Sequence, residues 1–143
     1  MEVLNILKET LFFVALIFAT IWDMREREIP DILNVCIFAI GLFGVHPIYA
    51  FVCALVTGLP YLIASLLSGG RIGGGDIKLM AACGAVLGIR GGFLQSIIAL
   101  TLVACYGIAE MILKKDTKVS IPLAPFLGTG GFLSFIIMNY GGI

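Results

Sequence analysis

The strongest constraint on this chain is a succession of apolar runs, separated by short polar stretches, that fills its length. A soluble core cannot absorb that much apolar surface. Hydrophobic residues make up 60% of the 143 positions, charged residues 13%, and the mean hydropathy is +1.11, whereas soluble domains carry roughly 25% charged residues. Lipid is the alternative solvent, and a spanning helix needs roughly 17 to 25 mostly apolar residues, or fewer when it is buried among neighbours. There is room for about six such segments. The expectation is therefore an all-α, polytopic membrane protein, a single unit over residues 1–143 with no separate soluble domain.

Polar stretches set the helix limits. Helix one is expected from about Leu4 to Trp22, ending at the stretch Asp23 to Asp31, which holds six charges and Pro30. Acidic residues ahead of this run, and the lack of a small-residue cleavage site behind it, argue for a permanent helix rather than a removed signal. Helix two runs to about Val45, His46 and Pro47 make a turn, and helix three continues to about Leu67. Ser68 to Asp76 reads SGGRIGGGD, and five glycines in nine residues exclude a regular helix there. Helix four is expected from Ile77 to Ile89, with a break at Arg90, Gly91 and Gly92, and helix five to about Leu113. After the basic loop KKDTKVS, the last helix covers about Ile121 to Tyr140 and opens irregularly around Pro122 and Pro125. Gly84, Gly88 and Gly92 form two overlapping GxxxG steps, suited to close packing of helix four on the start of helix five.

With six spans, the odd-numbered loops share one side of the membrane. They hold Arg25, Arg27, Arg71, Lys78, Lys114, Lys115 and Lys118, leaving only Lys8 and Arg90 for the opposite side. The bias places the odd loops in the cytoplasm and both termini outside. Asp23 and Asp76 then share the cytoplasmic side.

Bulk charge is balanced, with nine acidic and nine basic residues, so nothing in it attracts nucleic acid. Cys36, Cys53, Cys83 and Cys105 stand singly in apolar runs without a CxxC pair. They read as small buried hydrophobes rather than metal ligands or disulfides.

Asp76 follows Gly73, Gly74 and Gly75 and opens a helix, so alone it is an ordinary N-cap carboxylate. Asp23 alone is a charge where a span meets water. Together they carry more, because ionisable groups at membrane depth are costly and mark a site or pathway. Two carboxylates a few ångströms apart share a proton, so one can act as general base on a water while the other is the general acid. Which is which stays open. The glycines admit an extended substrate backbone, since residues without Cβ allow close approach.

At these residues the sequence resembles the type IV prepilin peptidases, a branch of the GxGD membrane aspartyl proteases. The stretch DMREREIPD, Asp23 to Asp31, is similar to the family's D-x-R-x-x-x-I-P pattern, and GGGDIKLMAACGAVLG, Gly73 to Gly88, continues the GxGD core through Lys78, Leu79, Gly84, Leu87 and Gly88. A weaker echo is IPLAPFLGTG, Ile121 to Gly130. The resemblance implies a GxGD bundle with Asp23 and Asp76 as the catalytic pair and Gly73, Gly74 and Gly75 as the active-site loop. Arg25, Lys78, Pro30, Pro122 and Pro125 are supporting positions. It also implies a prepilin or pseudopilin substrate, cut behind its short basic leader at the cytoplasmic face of a prokaryotic inner membrane, and no metal or organic cofactor. Larger members carry an extra cytoplasmic domain between the first two helices, often with zinc-binding cysteines, and are associated with N-methylation. Here that interval is only Asp23 to Pro30, so methyl transfer is not expected, and Asp31 stands where the pattern has asparagine.

Glu26, Glu28 and Asp31 could draw a basic leader toward the site, against the plainer reading of pairs with Arg25 and Arg27. Lys78 is expected either to hold the carboxylate or to meet lipid headgroups. Trp22, Tyr61, Tyr106 and Tyr140 read as interfacial anchors, Glu110 as snorkelling to the cytoplasmic side or pairing with Lys114, and His46 as remote from the aspartates. A transporter or proton-pathway subunit, using the aspartates as ion-binding groups, is the rival reading. A purely structural subunit is the third.

Overall fold

All the apolar runs fold as helices, because in lipid only a helix or a closed barrel satisfies every backbone hydrogen bond. The computed structural model describes residues 2–69, 72–114 and 122–140. Its helices are α1 Glu2–Glu26, α2 Asp31–Leu42, α3 Pro47–Leu67, α4 Gly74–Lys114 and α5 Ala124–Tyr140. The all-α expectation holds. By length and composition α1, α3 and α4 can cross a membrane, whereas α2, with 12 residues, is about 18 Å long at 1.5 Å per residue.

Although its helical assignment is unbroken, α4 is not one rod. Gly88 has φ 75° and ψ 178°, a backbone region open in practice only to glycine. Across a straight helix Met80 and Ser96 would stand about 24 Å apart, yet Ser96 Oγ lies 3.7 Å from Met80 Sδ. A Cβ on Gly92 would likewise come within 3.4 Å of Gly84 Cα. The chain therefore doubles back at Gly88, and arms 74–87 and 89–114 lie side by side. Counting both arms, the described residues form six helical segments. The break falls at Gly88 and not at Arg90 to Gly92. Gly91 and Gly92 are instead helical packing positions: Gly91 O accepts the Ser134 hydroxyl at 2.7 Å, and Gly92 abuts Thr57.

This hairpin is the hub against which α2, α3 and α5 pack, while α1 closes the far side against α2 and α5. Phe12, Leu16, Ile37, Leu79, Met80 and Leu127 are its buried centre. Only glycine fits at position 84, because Thr57 of α3 occupies the space a Cβ would need. Large apolar side chains such as Phe18, Ile32, Phe51, Ile97 and Leu113 point outward, the inside-out arrangement a lipid-facing surface requires.

Several local expectations are corrected. Among the cysteines, Cys53 and Cys83 are buried but Cys36 and Cys105 are exposed, and all four are free thiols. Tyr61 is no interfacial anchor, being 4% exposed inside the core cluster; Trp22 and Tyr106 are exposed. The side chains of Tyr140 and Lys114 lie outside the described residues, as do Arg71, Lys115, Lys118 and Ile121. Glu110 is buried in the second arm of α4.

Candidate active site

One end of the bundle gathers the carboxyl terminus of α1 and the amino termini of α2, α4 and α5. The opposite end holds Gly88, whose position faces the Tyr49 hydroxyl at the start of α3, and Lys8, which donates to Phe43 O at 3.1 Å. His46, just ahead of α3, belongs to that remote end.

Asp23 does not mark the end of α1, which continues one further turn to Glu26. The helix stops because Arg27 turns to φ 55°, a left-handed conformation at a helix terminus that is usually glycine's; its N–H still bonds Asp23 O at 2.9 Å. Asp23 thus points inward and is 6% exposed. Its Oδ2 accepts the Ala124 N–H at 3.1 Å. That donor is free for a reason written in the sequence. Leu123 O receives the N–H groups of Phe126 and Leu127, so Leu123 caps α5 and Ala124 is its first residue, whose N–H has no intrahelical acceptor. Pro125, next in line, has no N–H at all. The proline-rich opening therefore aims a single backbone donor, and the positive end of a helix, at Asp23.

Asp76 is not the N-cap. Gly73 is, since its carbonyl accepts from Asp76 N at 3.1 Å and Ile77 N at 3.4 Å. Gly74, Gly75 and Asp76 form the first turn of α4, where the entropic cost of glycine is small because little of the helix has yet been ordered. The carboxylate folds back over the cap: a Cβ on Gly73 would lie 3.3 Å from Asp76 Oδ2. Asp76 Oδ1 is buried without a hydrogen-bond partner. Gly75 has a separate reason to be glycine, since its Cβ would stand 3.2 Å from Ile29 Cβ and 3.3 Å from Ile29 N. By that contact the α1–α2 link packs onto the glycine turn. Gly74 faces open space.

Asp23 and Asp76 line one cavity of about 360 Å³, together with Arg27, Glu28, Ile29, Asp31 and the three glycines. Of the supporting positions, Pro30 precedes α2 in extended conformation and Pro125 shapes the donor to Asp23, but Arg25 is exposed and does not line the cavity. Arg27 takes that place, at the left-handed turn that closes α1. Lys78 holds neither aspartate of the pair; its Nζ meets Asp31 Oδ1 at 2.7 Å, with both side chains largely exposed. Asp31 is thus paired across the bundle and not with Arg25 or Arg27. The Ala124 N–H was legible only as an irregular helix start.

The model of the type IV leader peptidase family matches residues 10–108. A prepilin leader peptidase/N-methyltransferase of Bacillus subtilis (strain 168) is 28% identical over 143 residues, covering 93% of this chain and 56% of the relative. The chain thus spans little more than half the length of that curated relative. No solved structure matches significantly.

Proposed function

The chain belongs to the type IV leader peptidase family, and on that premise we propose that it is a membrane-embedded aspartic endopeptidase removing the short basic leader of a prepilin or pseudopilin. The observation that carries the reading is the shared cavity of Asp23 and Asp76. Water held between the two carboxylates loses a proton to one of them as its oxygen attacks the scissile carbonyl carbon. The other carboxyl protonates the carbonyl oxygen, and collapse of the tetrahedral adduct breaks the C–N bond with proton transfer to the leaving nitrogen. Asp76 Oδ1, buried and unpartnered, has a free acceptor site for that water. Asp23 Oδ2, held by the Ala124 N–H, leaves its other oxygen for the reaction. Gly73, Gly74 and Gly75 on the cavity wall allow a peptide backbone to approach. This chemistry requires neither metal nor cofactor.

In this reading the aspartate end faces the cytoplasm of a prokaryotic cell, both termini lie outside, and the six helical segments each cross the membrane as one peptidase unit. The distribution of basic residues supports that orientation. The short α2 crosses only with neighbours around it or with local thinning of the bilayer. Methyl transfer is left out of the proposal, since only residues 27–30 separate α1 from α2.

The test is cleavage of a detergent-solubilised prepilin, read by amino-terminal sequencing of the product. Wild-type protein releases the leader, while Asp23→Asn and Asp76→Asn proteins, still folded, lose at least about a hundredfold in rate, the usual weight of one acid–base group. If the aspartates instead serve an ion pathway, the wild type does not cleave.

A further inference from the structure

A second groove, of about 450 Å³, lies between α2 and α3 with the first arm of α4 as its floor. It exists because α2 and α3 scarcely touch each other, while both pack on α4. Ala81 and Ala82 keep the floor low, and Val35 of α2 with Phe51, Ala54 and Leu55 of α3 forms the walls, of which Val35, Phe51 and Leu55 are exposed. Asp31 and Lys78 also belong to its lining. Asp31 lines the aspartate cavity as well, so the two spaces meet at that residue.

Asn34 distinguishes this groove from ordinary lipid-facing relief. It is 6% exposed, it lines the groove, and neither its Oδ1 nor its Nδ2 has a hydrogen-bond partner. A buried amide left unpaired is costly, and a bound group relieves that cost. The missing partner must both donate and accept, one helical turn inward from Asp31. A polypeptide supplies both functions; a lipid acyl chain supplies neither. The groove between α1 and α5 is larger, at about 550 Å³, but none of its lining residues carries an unpartnered buried polar atom and none lines the aspartate cavity.

We propose that the groove between α2 and α3 is the docking site for the apolar segment of the substrate on the carboxyl side of the scissile bond, with a donor–acceptor group of that segment on Asn34. The proposal rests on the peptidase reading above. The substrate passes Asp31 in extended form, so its apolar part lies in the groove while the bond to be cut lies between the aspartates. Recognition is thereby divided between two spaces joined at one residue.

The experiment uses the full chain in detergent, a full-length precursor, and a soluble peptide covering the leader junction but lacking the apolar segment. A benzophenone side chain in place of Val35 or Leu55 is expected to crosslink to the apolar segment of the precursor, and one in place of Leu133, in the α1–α5 groove, is not. Asn34→Leu should lower the ratio of kcat/KM for precursor to that for peptide by about tenfold, the weight of one net hydrogen bond. Val35→Trp, which narrows the groove from its exposed rim, should lower the same ratio. Crosslinks from Val35 and Leu55 that reach only phospholipid, equal crosslinking from Leu133, or an unchanged ratio in both variants overturns the proposal. A wild type that cleaves neither substrate defeats the peptidase reading, and the crosslinks still decide whether the precursor occupies the groove.

Discussion

Asp23 Oδ2 accepts a 3.1 Å hydrogen bond from the backbone N–H of Ala124, a residue 101 positions further along the chain. The bond ties the inner face of α1 to the first residue of α5. It also fixes the orientation of one of the two carboxylates in the cavity, since a carboxylate held by a backbone donor cannot rotate freely.

Ala124→Pro removes that donor while leaving α5 a residue well suited to a first helical position. The buried Asp23 oxygen then loses its partner, at a cost of about 1–3 kcal/mol. Thermal unfolding in detergent should register this loss, and prepilin cleavage should fall with it. Unchanged stability would mean that the bond does not hold the two helices together.

The three glycines before Asp76 are not equivalent. A Cβ on Gly75 crowds Ile29 at 3.2 Å, whereas one on Gly74 meets nothing within 4 Å. Gly75→Ala should therefore push the α1–α2 link away from the cavity and reduce cleavage well below that of Gly74→Ala. Equal effects of the two substitutions in one cleavage assay would contradict the packing described.

Gly84 packs directly against α3, with Thr57 filling the place of its missing Cβ. Gly84→Ala should destabilise by about 1–3 kcal/mol, the usual cost of overpacking. Adding Thr57→Ala removes Oγ1 and Cγ2, two of the three crowded atoms, and should recover part of that loss. A double-mutant cycle measures the coupling, and strictly additive losses would sink the idea of direct contact.

Arg27 combines a backbone role and a charge. Replacement by glycine relieves the left-handed backbone at φ 55°, worth about 1–2 kcal/mol, but takes a guanidinium from the cavity it shares with Asp23 and Asp76. Arg27→Gly should fold at least as well as wild type and cleave more slowly. Cleavage at the wild-type rate would assign Arg27 to chain geometry alone.

Much of this protein follows from residue order alone. Apolar runs of spanning length commit the chain to helices because lipid offers the backbone no other partner, and the two aspartates stand out because charge beside lipid is costly. The glycine turn before Asp76 and the proline-broken start of the last helix were readable for the same local reason, the special backbone preferences of glycine and proline. What linear order could not reveal was contact between distant positions. Gly88 and Arg90 to Gly92 are equally good breakers as a string, and the doubled-back arms at Gly88 decide between them by using Gly92 against Thr57. The assignment of Lys78 to Asp31, the burial of Tyr61, the place of Arg27 on the cavity wall and the donor at Ala124 belong to the tertiary structure. Each depends on which helix faces which, and that is settled by side-chain packing across the bundle rather than by the preference of any segment taken alone.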